Sequence, residues 1–427
     1  MNVLLIAPKW PEHSLWGQIF FRFPYLSLTT LAALTGEDWD ISILDESVEP
    51  VDFSTLPDLV AISVMTPLAK RAYEIADTYR SKDIPVVLGG IHPTMMQDEA
   101  KDHADAIVIG EAEKTWPQVL SDFKRGELKS FYKAKDFASL EHLQNPRRDL
   151  LNRKAYFFSN TIQTTRGCPF DCEFCSVTSF YGRTYRVRPI EDIINEMAGM
   201  EGGFRFFVDD NIVGRPDYAK ALFRALTPLN IRWFSQASLN IVKDRELLDL
   251  AQKSGCMGLF IGFESLSQEC LKIMGKSTNL VEEYRDAIKM IHDHGIGIQG
   301  SFIFGTDQDD QSVFSDVLRF IEKAHIEAAL FSVLTPFPGT RIQQTLMKEN
   351  RILHNDWEKY DMNHVVFRPR NMTPEQLQNG LNWAYERLYG YGSILKRLFP
   401  FKKRSLFYAV QNYGFRRGWK KSLNASQ

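Results

Sequence analysis

The chain has 427 residues, 51 Lys and Arg against 53 Asp and Glu, a formal charge of -2 and 44% hydrophobic residues, a composition ordinary for a soluble folded protein. Near-neutrality leaves no overall field to gather nucleic acid, and no window approaches the roughly 20 apolar residues that a bilayer-spanning helix needs. Five cysteines, three of them within eight residues, exclude a disulfide scaffold and point to a metal or redox site in a reducing compartment.

The apolar start, Met1 to Pro8, has no basic flank and no cleavage site, so it reads as the first strand of a cytoplasmic protein and not as a leader. Further apolar runs at Asp40–Asp45, Leu59–Val64, Val86–Gly89 and Ala106–Ile109 join Val3–Ala7 in the strand and helix alternation of a doubly wound parallel sheet. Between two of them, Ala69, Ala72, Tyr73, Ala76 and Tyr79 recur at helical spacing, which predicts an amphipathic crossover helix over 67–82. The expected first domain is residues 1–125. Residues 126–155 are charged, weakly periodic and interrupted by Pro146, which predicts a linker.

Alternation resumes at Ile162–Thr165 and continues through Phe204–Asp209, Ile231–Ala237, Met257–Glu264, Ile298–Phe304 and Ala328–Thr335. Six such units over 156–345 predict an α/β partial (β/α)6 barrel. Residues 346–427 form a mainly helical extension, with Thr373 as N-cap and Pro374 at the first position of a helix reaching Tyr391. From Leu388 to Gln427 there is no Asp or Glu, while Lys396, Arg397, Lys402, Lys403, Arg404, Arg416, Arg417, Lys420 and Lys421 are basic. Leu398, Phe399, Phe401, Phe407, Tyr408, Tyr413, Phe415 and Trp419 lie among them, so the tail suits either the face of an anionic membrane or a helix packed on the barrel with solvated lysines.

Directly after the first barrel strand stands Cys168-Pro-Phe-Asp-Cys172-Glu-Phe-Cys175, spaced C-x3-C-x2-C. Three thiolates on one short loop can wrap a face of an iron-sulfur cubane and leave its fourth iron without a protein ligand. Structural zinc uses the same soft donors but closes its site with a fourth, and the nearest partners are His142, 26 residues upstream, and Cys256, 81 downstream. The loop, with Phe174 before the third cysteine, resembles that of the radical S-adenosylmethionine (SAM) superfamily. The resemblance implies a 4Fe-4S cluster on Cys168, Cys172 and Cys175, SAM bound at the open iron, and reductive cleavage to a 5'-deoxyadenosyl radical. It also implies SAM contacts near Phe174, Asp209 and Gly300, although the family's glycine-rich segment reads here Val208-Asp209-Asp210-Asn211 and Gly300 also suits a buried strand with bend glycines. Gln236, Ser238 and Glu264 end strands where barrel enzymes place ligand-binding groups, against the alternative of ordinary strand-end solvation.

In the first domain, small residues at strand ends (Ser63, Thr66, Gly89, Gly90 and Gly110, with Glu111) make the loops where open parallel sheets bind ligands. Leu88-Gly-Gly-Ile-His-Pro-Thr94 and Val108-Ile-Gly-Glu-Ala-Glu113 resemble the cobalamin-binding domain joined to many radical SAM enzymes. That family's cobalt-ligating D-x-H-x-x-G is replaced by Pro8-Lys9-Trp10-Pro11, leaving His13 and His92 as the substitutes to weigh against ordinary loop histidines. His292 and His294, before Gly295, read as helix-terminal residues favoured by the dipole. The whole is similar to the branch containing the hopanoid C-methylases and the anaerobic magnesium-protoporphyrin monomethyl ester cyclase. This resemblance implies C-methylation of a small-molecule or lipid substrate, with electrons from a flavodoxin or ferredoxin, while the composition of the tail leaves open a peripheral place at the inner membrane surface. Radical cyclisation or oxidation without methyl transfer is the alternative within enzymes, and a cluster-bearing sensor or electron carrier the alternative outside them.

Overall fold

A computed structural model of the chain describes residues 1–401 and 404–425, and these fall into two compact units. The first comprises Met1–Glu12, Arg22–Ser159 and Asp356–Asp361. Its sheet holds β1 (Asn2–Ala7), β2 (Asp40–Asp45), β3 (Leu59–Ser63), β4 (Val86–Gly89), β5 (Ala106–Ile109) and β6 (Phe131–Lys133) in the order β2-β1-β3-β4-β5-β6. Every pairing is parallel, and β1, β3, β4 and β5 are buried along nearly their whole length, as strands covered on both faces require. The helix Ala69–Arg80 buries the five residues whose spacing predicted it, together with Ile75. Chain order reverses between β1 and β3, the switch point where such sheets open a crevice at their carboxyl ends. β6 was not anticipated: three residues in a charged stretch, with only Tyr132 buried, carry no readable period.

The second unit comprises His13–Phe21, Asn160–Asn355 and the residues from Met362 on. After β7 (Thr161–Ile162), the short antiparallel pair β8 (Thr165–Gly167) and β9 (Tyr185–Val187) brackets the cysteine loop. Then follow β10 (Phe204–Phe207), β11 (Arg232–Ala237), β12 (Cys256–Glu264), β13 (Gly297–Phe304) and β14 (Ala328–Val333), all parallel, in the order β14-β13-β12-β11-β10-β7. This is the six-stranded half barrel. Side chains alternate across it: Phe263 and Phe302 stack outward among Tyr284 and Phe320 of the covering helices, while Phe206, Phe234, Phe260 and Gln299 take the inner face.

The helix Pro374–Leu388 starts with a capping box between Thr373 and Gln376. Beyond it the tail divides. Leu398, Tyr408, Phe415 and Trp419 are buried, as a helix packed on the barrel requires, while Phe399, Phe401 and Tyr413 are exposed. From the helix Ser405–Ala425, Tyr408 enters the inner face where Gly258 and Gly297 leave no room for a Cβ, Phe407 meets Phe204 and Phe234, and Gln411 donates to Gln299. The helix therefore closes the floor of the half barrel. Two tail arginines also serve packing: Arg404 pairs with buried Glu327 at 2.7 Å, and Arg397 donates to the Glu327 and Leu388 carbonyls and to Asn412. Lys402 and Lys403 lie outside the described residues.

Candidate functional site

Cys168 follows β8 directly, and Cys175 precedes the short helix Ser176–Tyr181. The intervening loop is held by its backbone. Glu173 N–H donates to the Met274 carbonyl at 3.0 Å and Ile342 N–H to the Glu173 carbonyl at 3.1 Å, while Arg341 spans Asp171 (2.7 Å) and Glu173 (2.8 Å). Gly275 has φ +73°, and a Cβ there would stand 2.7 Å from the Asp171 carbonyl, so glycine permits this close approach. Phe174 packs against the hydrophobic core. The three cysteines are free and half-buried. Burial pushes all three thiols up, Cys172 to about 12, so ligation by thiolates would have to release protons that this loop otherwise keeps. Three soft donors on one braced loop fit an iron-sulfur cluster.

The carboxyl ends of the half-barrel strands surround this loop with polar groups. Asp209, fully buried after β10, accepts from the N–H and hydroxyl groups of both Thr164 and Thr165, which fixes the link between β7 and β8. Burial pushes its pKa up to about 6 against those donors. Asp210 accepts from Gly167 N–H at 3.2 Å. Asn211 places its amide nitrogen 3.9 Å from the Cys168 sulfur, and its side-chain oxygen accepts from Ser238 N–H at 3.0 Å. Gln236, at the end of β11, is exposed on the inner face. Gly300 has no such position: it lies on the helix-facing side, where a Cβ would press on Phe302 (3.1 Å) and Phe263 (3.3 Å), so its bareness makes room for that aromatic stack.

Glu264 ends β12 at φ +66° beside a register irregularity, a left-handed backbone that costs a non-glycine residue of order 1–3 kcal/mol and collects at functional sites. It forms a buried ion pair with Lys276, and Gly262 leaves the space that both charged groups occupy. Burial works against the ammonium, yet Glu264 and the neighbouring Cys172 and Cys175 hold the Lys276 pKa above that of an ordinary lysine. Lys276 escaped sequence reading because it stands in a loop 101 residues after Cys175. Substituting Glu264 with Leu should strand this ammonium and cost roughly 3–5 kcal/mol, seen as a lower urea midpoint that a second change, Lys276→Met, largely restores.

In the first unit the ends of β3, β4 and β5 share one hydrogen-bonded rim. Val64 N–H donates to the Gly89 carbonyl and His92 N–H to the Val64 carbonyl. The Thr94 hydroxyl donates to the Gly90 carbonyl and accepts from Gly110 N–H. Gly90 takes φ +102° and ψ -171°, and a Cβ on it would stand 2.8 Å from the Val64 carbonyl oxygen, whereas nothing lies within 4 Å of a Cβ on Gly110. Ser63 meets the Ser27 hydroxyl at 3.3 Å, Thr66 is buried at the start of a helical turn, and Glu111 accepts from Ala138 N–H. A bare backbone rim at the sheet's carboxyl edge fits a bulky nucleotide-bearing ligand. His92 does not face that edge. It is fully buried, with Nε2 3.1 Å from the Tyr73 hydroxyl and 3.3 Å from Glu99, beneath Trp357. His13 packs edge-on against His364 in the second unit.

His292 and His294 stand at a helix end as expected, held by Glu327 and Asp249 respectively. Comparison with known proteins adds independent findings. Residues 162–321 match the radical SAM superfamily and residues 18–120 the B12 binding domain. Bacteriochlorophyllide d C-12(1)-methyltransferase of Chlorobaculum tepidum is 36% identical, over 92% of this chain and 89% of that one. The C-8(2)-methyltransferase of the same organism is 29% identical, over 94% and 93%. Among solved structures, the radical S-adenosylmethionine methyltransferase TsrM of Kitasatospora setae, with cobalamin and a [4Fe-4S] cluster bound, superposes with a TM-score of 0.65 at 18% identity, over 82% of this chain and 78% of that one.

Proposed function

Since this chain belongs to the radical SAM superfamily, in the group that carries a B12 binding domain, we propose that it is a cobalamin-dependent methyltransferase acting on an unactivated carbon. The observation that carries this reading is the braced loop of Cys168, Cys172 and Cys175 at the carboxyl ends of a half barrel, with a charged pair, Glu264 and Lys276, beside it. When bound, the cluster supplies the electron that splits SAM, and cobalamin supplies the methyl group.

The chain's own residues do the holding. The three thiolates ligate the cluster. Asn211 joins Cys168 to the end of β11, so the loop and the inner face keep one geometry. Asp210, Gln236, Ser238 and Glu264 are the acceptors and donors for SAM's ammonium and hydroxyl groups, and Asp209 acts behind them by fixing Thr164 and Thr165. Ser63, Thr66, Gly89, Gly90, Gly110 and Glu111 would form the cobalamin edge, which the buried His92 does not join. The floor helix shields the inner face from water, as radical chemistry demands.

The relatives make a chlorin pigment precursor the first substrate to test, within the broader class of small molecules and lipids, and a flavodoxin or ferredoxin the first electron donor. The test is anaerobic reconstitution with iron, sulfide and hydroxocobalamin, then turnover with SAM labelled in its methyl group. Labelled methyl in product, with 5'-deoxyadenosine and S-adenosylhomocysteine formed together, is the expected result. An altered but unlabelled product would replace methylation by cyclisation or oxidation, and no 5'-deoxyadenosine under a strong reductant would leave a cluster-bearing sensor or electron carrier.

A further inference from the structure

The outer surfaces of the last helices are apolar where a solvated helix should be polar. On the helix Tyr391–Leu398 and the turn after it, Tyr391, Leu395 and Phe399 follow at four-residue spacing with exposures of 64%, 57% and 64%. On the helix Ser405–Ala425, Leu406, Val410 and Tyr413 follow at spacings of four and three with exposures of 75%, 37% and 54%. Phe401, between the two helices, is 64% exposed. These seven are among seventeen exposed large hydrophobic residues across the described chain, so the concentration is local and not an ordinary scatter.

Charge completes the pattern. The stripe on the last helix continues into Arg417, Lys420 and Lys421, all exposed, and exposed Lys396 adjoins Leu395. No Asp or Glu occurs from Leu388 on. Leu395, Phe399 and Phe401 also line an open groove with Lys323, His325, Lys396 and Glu322, and that glutamate is the one acid there, 3.7 Å from Lys396. Tyr408, Phe415 and Trp419, on the opposite side of the last helix, are buried, and Arg404 and Asn412 secure it to Glu327 and its carbonyl. The apolar stripe is therefore presented on a fixed support.

We propose that this surface is a membrane-docking face that inserts Leu395, Phe399, Phe401 and Leu406 among the acyl chains of an anionic bilayer, with Lys396, Arg417, Lys420 and Lys421 at the headgroups. Aromatic and aliphatic tips rimmed by cations are the chemistry of an interfacial helix. A second copy of this chain fits poorly, because pairing the face with itself would bring like charges together.

The full chain is tested by flotation with vesicles of phosphatidylcholine, and of phosphatidylcholine containing about one third phosphatidylglycerol. Binding is expected to the anionic vesicles and to weaken with salt. The variant Phe399→Ser/Phe401→Ser/Leu406→Ser should lose binding at least about tenfold, and Lys420→Glu/Lys421→Glu should lose most of the preference for anionic lipid. All five side chains are exposed, so unchanged circular dichroism and an unchanged yield of reconstituted cluster should accompany both losses. Absence of the chain from the anionic vesicle fraction would overturn the proposal. So would a dimer, or a complex with reduced ferredoxin, that the triple serine variant dissolves while vesicle binding stays intact.

Discussion

Substitution of Cys172 by Ala should reduce 5'-deoxyadenosine formation to background while the chain stays folded. A cubane presented by three thiolates has no spare ligand, and the remaining cysteines are not placed to replace one. Cys256 is buried with its sulfur turned to the Gly258 carbonyl at 3.7 Å, and Cys270 is buried 3.1 Å from the Thr306 hydroxyl. The loop should keep its path, because Arg341 holds Asp171 and Glu173 on either side of Cys172, and backbone bonds hold Glu173 as well. Loss of the cluster's visible absorbance with an unchanged circular dichroism spectrum is the measurement. A full complement of iron and sulfide in the variant would refute the ligand assignment.

At Gly90 a different and separable loss is expected. Its φ and ψ belong to a region that is nearly glycine-only, which by itself costs a substituted residue of order 1–3 kcal/mol. A Cβ would also stand 2.8 Å from the Val64 carbonyl and 2.9 Å from the Val64 nitrogen. Gly90→Val should therefore push apart the ends of β3 and β4 and empty the cobalamin edge, leaving the second unit's cluster intact. The expected outcome is SAM cleavage without methyl transfer: 5'-deoxyadenosine accumulates, the cobalamin spectrum disappears after gel filtration, and methylated product falls to background. Retention of one cobalamin per chain by this variant would place the cofactor elsewhere.

The sequence is most readable where a local rule acts alone. The cysteine spacing needs only one loop, buried parallel strands announce themselves as apolar runs, and the helix Ala69–Arg80 shows its inward face by period. What escaped depends on partners far along the chain. Lys276 has meaning only beside Glu264, and Gly300 looks like a ligand-facing glycine until the pleat turns it toward Phe263 and Phe302. Likewise the tail's composition could not say which of its aromatics fill the half barrel, because Tyr408 finds Gly258 and Gly297 only in three dimensions. β6 owes its existence to the edge that β5 offers, not to any preference of its own.

The division of the chain between the units constrains how it can be cut and how it matures. Residues 13–21 pack against the helix Ser405–Ala425, almost 400 residues further along the chain, where Gly414 and Gly418 give up their side-chain space to Phe20, Phe21 and Ile19. Residues 356–361 return to the first unit, where Glu358 reaches Lys70 at 3.0 Å. Severing the polypeptide near residue 156 would thus give two fragments that each lack a piece carried by the other, and during synthesis residues 13–21 must wait until residues 405–425 have been made before they find a seat, a high-contact-order route that is intrinsically slow.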